Sequence, residues 1–229
     1  MINRIKGLNS SAWLALAMVL TLTGTAAAAL FYVYPPAIPP LATRYSTHAA
    51  NWWKWALSVP ADKSPLLDTT GANCGQGQSG LVFYLAGSFS DQPITRNCTV
   101  PAGKHIIFPV VNAAYFAFAE DPAEQKTEAY LRSQVEYIKD STELEVEIDG
   151  VEVSNVSRFF ERSDIFSVTL PDNNVFGLPA GFKLAPAADA GFYIGIAPLL
   201  GGQHTIHFHG KTPDGFVQDV TYNLNVRWW

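Results

Sequence analysis

Asn73-Cys-Gly-Gln-Gly-Gln-Ser-Gly-Leu-Val-Phe-Tyr-Leu-Ala-Gly87 and Arg96-Asn-Cys-Thr-Val-Pro-Ala-Gly-Lys-His-Ile-Ile-Phe-Pro-Val-Val-Asn112 contain both cysteines of the chain and two apolar runs. The runs, Leu81–Ala86 and Ile106–Val111, are short, rich in β-branched and aromatic residues, and bounded by Gly, Pro or Asn. Strands buried on both faces read this way. A bond between Cys74 and Cys98 would tie the entry of the first strand to the segment leading into the second. Closing a loop of that length stabilises a fold by roughly 3 kcal/mol in the chain-entropy picture.

Upstream of this stretch the chain of 229 residues opens on Arg4 and Lys6. An uncharged run from Ala12 to Tyr34 follows and includes Ala26-Ala27-Ala28-Ala29. A basic start, an apolar middle and small residues at an Ala-x-Ala site define a secretory signal over residues 1–29. The run is also long enough to remain as an uncleaved membrane anchor. Removing residues 1–29 takes away the charges of Arg4 and Lys6 and no acid, which moves the formal charge from −5 to −7. That acidic balance, without a basic cluster, excludes a nucleic-acid partner. Two cysteines in an exported chain pair as one disulfide, since neither has further ligands at zinc spacing. What remains is sized for one well-packed domain.

Tyr34-Pro35-Pro36-Ala37-Ile38-Pro39-Pro40 makes residues 30–44 an extended, proline-rich leader that tethers or wraps. Ser46 or Thr47 is positioned to cap a helix running to about Leu57, with Ala49, Trp52, Trp53 and Ala56 on its apolar stripe. One such helix cannot bury three indoles equally, so at least one is expected at the surface or beneath a loop. Pro60–Gly80 reads as an ordered loop pinned by Cys74. Asp121-Pro122-Ala123-Glu124 reads as the start of a second helix, whose buried stripe is Leu131, Val135 and Ile138.

Beyond it the period changes to two. Leu144, Val146 and Ile148 alternate with Glu143, Glu145 and Glu147, and Asp149-Gly150 is a two-residue hairpin signal. Ile165–Leu170 and Phe192–Ala197 are further strands. The last hairpin sets His204, Ile206 and Phe208 against Phe216–Val226. The fold class is therefore mainly β: an antiparallel β-sandwich, jelly-roll or immunoglobulin-like, with two short helices and a single domain over 45–229.

Several groups of residues are candidates for chemistry. A loop at Lys211–Gly215 places His207 opposite Asp219, with His209 on the same face. Two histidines and a carboxylate can hold a divalent metal, while the plainer reading is a solvated His–Asp pair. Tyr45, His48, Trp52 and Trp55, with Asp68 as a hydrogen-bonding carboxylate, form a candidate binding set, with aromatic faces suited to sugar rings. The plainer reading of these indoles is a helix that caps one end of the sandwich. Trp228-Trp229 either dock into the body or meet another chain. Asp68-Thr69-Thr70-Gly71 lacks the second carboxylate that aspartic-protease chemistry requires, and Ser79 is not set in a nucleophile elbow. No phosphate loop or nucleotide fingerprint appears, and no cofactor is implied.

Trp52-Trp53-Lys54-Trp55, Pro60, Asp68–Gly71, Cys74, Gln78, Val82–Gly87 and Arg96–Lys104 together resemble a group of exported bacterial proteins, over Tyr45 to Asn112. The resemblance implies secretion or a periplasmic location and carries no activity or catalytic residue with it. Gly201-Gly202-Gln203-His204-Thr205-Ile206 is similar to the closing strands of extracellular β-sandwich modules. The function expected is non-catalytic binding of a glycan or protein at the cell envelope. A polymer hydrolase or lyase using His48 or the His207–Asp219 pair, and a structural or adhesive protein, are the alternatives.

Overall fold

The computed structural model describes residues 31–228. The expected signal at 1–29 and the terminal Trp229 lie outside them. No helix among the described residues is long and apolar enough to cross a membrane.

The elements run in order as α1 (Tyr45–Ser58), β1 (Val82–Tyr84), β2 (Ile94–Pro101), β3 (His105–Phe116), α2 (Glu128–Val135), β4 (Thr142–Ile148), β5 (Val151–Glu152), β6 (Phe160–Arg162), β7 (Phe166–Thr169), β8 (Lys183–Ile196), β9 (Gly202–Lys211) and β10 (Val217–Arg227). They form two five-stranded sheets. One is ordered β1-β3-β8-β6, with β7 also on β8, and the other β2-β10-β9-β4-β5. Both sheets are mixed: β1 runs parallel to β3 and β2 parallel to β10, while the remaining pairs are antiparallel. The expectation of a wholly antiparallel sandwich is corrected in this respect. The chain leaves β1, crosses to the second sheet for β2, and returns to the first for β3, so β3 meets β1 without a hairpin between them.

The layers explain the two hydrophobic patterns in the sequence. Between the sheets lie Ile106 and Phe108 of β3, Ile194 and Ile196 of β8, Ile206 and Phe208 of β9, and Val220, Tyr222 and Leu224 of β10. Phe108 and Phe208 stack across this gap with centroids 4.9 Å apart. Ile107 and Tyr193 of the first sheet face the other way, into a second core with α1. The first sheet is thus covered on both faces, so β3 and β8 read as continuous apolar runs. The second sheet has one wet face, and β4, β9 and β10 alternate.

Helix α1 begins at Tyr45 with no side-chain cap. Thr47 instead donates to Asp164 Oδ2 (2.6 Å), and Arg44 pairs with the same carboxylate at 3.2 Å. Asp164 thereby places a negative charge at the helix's positive end. The second helix also starts later than the sequence predicts. Asp121 accepts from Phe118 N (2.7 Å) and closes the preceding turn, so α2 is capped by Thr127, which accepts from Tyr130 N at 3.3 Å. Leu131, Val135 and Ile138 are buried, as their spacing predicts. The Asp149-Gly150 turn has φ of 51° and 78°, the left-handed pair of a two-residue hairpin.

The proline-rich leader wraps along the end of β8. Tyr34 N donates to Gly195 O (2.9 Å) and Ala197 N to Tyr32 O (2.9 Å). Cys74 and Cys98 are bonded. The 60–80 loop that Cys74 pins lies against the outer edge of β2, where Asn97 N donates to Thr70 O (2.8 Å). Gly71 sits there at φ +90°, and any Cβ would collide with the Asn97 backbone.

Candidate functional site

The three indoles of α1 are all buried, and each N–H has a partner. Trp52 donates to Leu85 O (2.9 Å), Trp53 to Asp189 Oδ2 (2.7 Å) and Trp55 to Gln76 O (2.9 Å). Trp55 is the one beneath the 60–80 loop, and its ring stacks on Tyr84 at 5.6 Å. Tyr45 is buried too and donates to Tyr34 O (3.1 Å). Desolvation pushes its phenol well above the ordinary range. His48 Nε2 meets Pro40 O at 3.2 Å, and burial lowers its pKa.

His48 and Trp55 share the wall of one open depression with Asn51, Lys54 and Tyr84. Asp68 is not among its lining residues. Its Oδ1 accepts from Thr70 N and Thr70 Oγ1, and its Oδ2 from Asn73 N (2.8, 2.7 and 2.8 Å). Burial pushes the Asp68 carboxyl up, but these donors outweigh it and hold the pKa below the ordinary value. Its role is to shape the turn. The candidate binding set therefore does not converge on one place.

The His–Asp face does come together, in a shifted register. Thr212 N donates to Phe216 O (2.9 Å), so the hairpin loop is Thr212–Phe216 and Lys211 faces Val217. The pairing moves by two residues and leaves every side chain on its expected face. Asp219 lies opposite His209, and its two oxygens meet His207 Nε2 (3.0 Å) and His209 Nδ1 (3.3 Å). His204, on the other face, bonds Asp149 at 2.7 Å. Among the described residues no group of three His, Cys, Asp or Glu side chains is placed to hold a metal ion. His207 is one-third exposed, and an exposed pair of this kind contributes about 0–1 kcal/mol. Urea unfolding of His207→Ala is accordingly expected to show a loss below about 1 kcal/mol. A loss of several would contradict the exposed face. Trp228 is 80% exposed and does not dock.

A different cleft gathers more chemistry. It opens at one end of the sandwich, with a volume of about 330 Å³. Trp52, Trp53, Phe89, Tyr137 and Phe216 supply aromatic walls, and Ser88, Asn112, Thr212, Asp214 and Gln218 supply polar groups. Phe89 and Tyr137 are large aromatics left exposed at its rim. An irregularity in β3 builds its floor. The pairing with β8 shifts between Pro109 and Asn112, which leaves Val110 and Val111 out of the ladder. Gln218 then reaches across from β10, donating to Val110 O and accepting from Ser88 N (3.1 Å). Gly87 packs on that amide so closely that a Cβ would collide with it.

Behind the floor lies Asp189, fully buried in the middle of β8. Tyr193 Oη donates to its Oδ1 (2.7 Å), and Trp53 Nε1 and Asn112 Nδ2 donate to its Oδ2 (2.7 and 3.3 Å). Desolvation pushes this carboxyl up to about 7, against the pull of its three donors. At the rim, desolvation and then the neighbouring Asp214 raise the Tyr137 phenol. Sequence reasoning missed Asn112, Gln218 and Asp189. The one available signal was a lone carboxylate in the small, apolar run Ala187-Ala188-Asp189-Ala190-Gly191.

Compared with known proteins, the chain matches no family model and no curated protein. Among solved structures it is similar to the solution structure of Amebosin, at 12% identity over 59% of this chain and 96% of that one, with a TM-score of 0.21. A likeness at that level carries no argument about fold or function.

Proposed function

We propose that this is an exported protein of the cell envelope that binds a glycan without transforming it, in the cleft between Phe89, Tyr137 and Phe216. The carrying observation is the pairing of aromatic walls with a floor of amides and hydroxyls. Aromatic faces pack against the C–H faces of sugar rings while amides and hydroxyls meet the ring hydroxyls. The volume stands at the lower end of the range for ligand pockets. Glycoside hydrolysis uses two carboxyl groups flanking the bond. Among the described lining residues Asp214 is the single carboxylate, and it is bonded to Thr212. The disulfide fits an oxidising compartment outside the cytoplasm.

The test is an envelope-polysaccharide array probed with residues 31–229, followed by titration of any bound glycan against Phe89→Ala and Tyr137→Ala. Both side chains stand at the rim, so the unfolding midpoint should hold while affinity falls about tenfold, as for aromatic anchors worth about 1–2 kcal/mol. Absence of any bound glycan, or full affinity in both variants, would overturn the assignment.

A further inference from the structure

Asn112 stands where the cleft meets the buried carboxyl. Its Nδ2 donates to Tyr193 Oη (3.0 Å) and to Asp189 Oδ2 (3.3 Å). Tyr193 in turn donates to Asp189 Oδ1, and Trp53 to Oδ2. An ionised carboxylate only accepts, so every group facing it must present a hydrogen. The amide nitrogen of Asn112 is therefore turned inward. Its Oδ1 has no partner among the described residues and is not sealed from solvent, on a side chain that lines the cleft.

We infer that Asn112 is the specificity-determining residue of this cleft, and that the proton on Asp189 decides which end of its amide meets the ligand. When Asp189 takes a proton from solvent on Oδ1, that oxygen becomes a donor to Tyr193 Oη. Tyr193 must then direct its own hydrogen elsewhere, and the acceptor within reach is the Asn112 side chain. The amide turns over, placing Oδ1 on the tyrosine and NH2 in the cleft. One proton enters from solvent, and the tyrosine neither gains nor loses any. The ionised form thus offers an acceptor to a ligand hydroxyl or N–H. The protonated form offers a donor to a ligand carbonyl or carboxylate, as on an N-acetylated or acidic sugar.

The surroundings leave this proton to Asp189. Trp53 from α1, Asn112 from β3 and Ser163, whose Oγ meets Asp189 N at 2.8 Å, carry no charge. Tyr193, held well above its ordinary value by burial beside the carboxyl, stays neutral. The charged side chains of the neighbouring elements bond elsewhere. Arg132 of α2 donates to Glu128 and Ser163 O, Arg162 of β6 pairs with Glu136, and Glu161 accepts from Arg162 N. With the carboxyl raised to about 7, the turnover falls near neutral pH.

Only the ligand classes depend on the proposed function; the turnover is tested without any ligand. In ¹⁵N-labelled protein the Asn112 side-chain amide is assigned by its loss in Asn112→Ser. At pH 9 its protons should show a nuclear Overhauser contact with the Trp53 indole hydrogen, because both donate to Asp189 Oδ2. That contact should vanish on titration to pH 5. Asp189→Asn, whose own amide must donate to Tyr193, should lack it at both pH values. Tyr193→Phe, which removes the relay, should keep it at both. A wild-type contact unchanged from pH 9 to 5, or a Tyr193→Phe variant that still loses it, overturns the inference. A working turnover in a protein that binds no glycan would leave the switch standing and remove only the glycan reading.

Discussion

Arg96→Met is expected to destabilise the protein by about 3 kcal/mol. Arg96 is 1% exposed on β2. Its Nε donates to Asp68 O (2.7 Å), and its Nη1 to Ala86 O (2.7 Å), Gly87 O (3.0 Å) and Tyr222 Oη (2.7 Å). One side chain thus joins the segment before Cys74, the exit of β1 and strand β10. Methionine matches the length but donates nothing, and orphaned buried acceptors cost about 1–3 kcal/mol each. Two facts work in the other direction. The guanidinium pairs with no carboxylate among the described residues, and its buried Nη2 has no partner, so removing the charge recovers some desolvation. Asp68 O and Gly87 O losing their donors outweigh that recovery, while Ala86 O keeps the Tyr222 hydroxyl at 2.9 Å. Arg96→Lys should rescue little, because one ammonium cannot span the same acceptors. Urea midpoints at unchanged m-value measure the effect, and a loss under 1 kcal/mol would show that the carbonyls find other partners.

Asp189 gives the second large effect, and its sign is opposite to that of an ordinary ion-paired carboxylate. Its folded pKa of about 7 lies above the ordinary 3.8. Between these values the native state holds a proton that the unfolded chain has released, so rising pH favours unfolding. The contribution is complete below about pH 4 and gone above about pH 7. At about 1.4 kcal/mol per unit, the loss across that window is roughly 4 kcal/mol. Asp68, Asp164 and Glu136, all held low by their donors, act below this window and in the other direction. Inside the window Glu161, raised by burial, acts in the same direction, and His48 and His105, lowered by burial, in the opposite one. Asp189→Asn should therefore remove the share of the falling slope that Asp189 supplies. An unchanged slope in that variant would place the titration on another group.

The layers were legible because burial leaves a period in the sequence. Ile106–Val111 is continuous because both faces of β3 are covered, and β9 alternates because one is wet. The disulfide followed from the cysteine count and a signal-like N-terminal pattern. The parallel pairings were not legible, since β1 and β2 enter different sheets and nothing local in Gly87–Ile94 records the crossing. The hairpin register slipped by two because Thr212 closes its loop through Phe216 O, and a shift of two leaves the side-chain pattern unchanged. In the sequence the indoles of α1 stand out more than any residue of the cleft floor. Trp55 packs under the 60–80 loop while Trp52 and Trp53 also wall the cleft, and the polar floor is assembled from positions far apart in sequence, Asn112 on β3 and Gln218 on β10. A carboxylate such as Asp189 reads as surface until its strand is known to be central.

The segment just before Cys74, pinned by the disulfide, also bears on how the molecule would meet copies of itself. A strand at the border of a sheet offers unpaired amides and carbonyls on which another chain can build. On β2 the position at Asn97 is already taken by Thr70, with Gly71 pressed against the strand and the disulfide holding the segment in place. The chain supplies its own inhibitor of lateral growth. Reducing that bond is therefore expected to loosen this cover and leave the Asn97 amide on the sheet border open to pairing by another chain, which light scattering of the reduced protein would register.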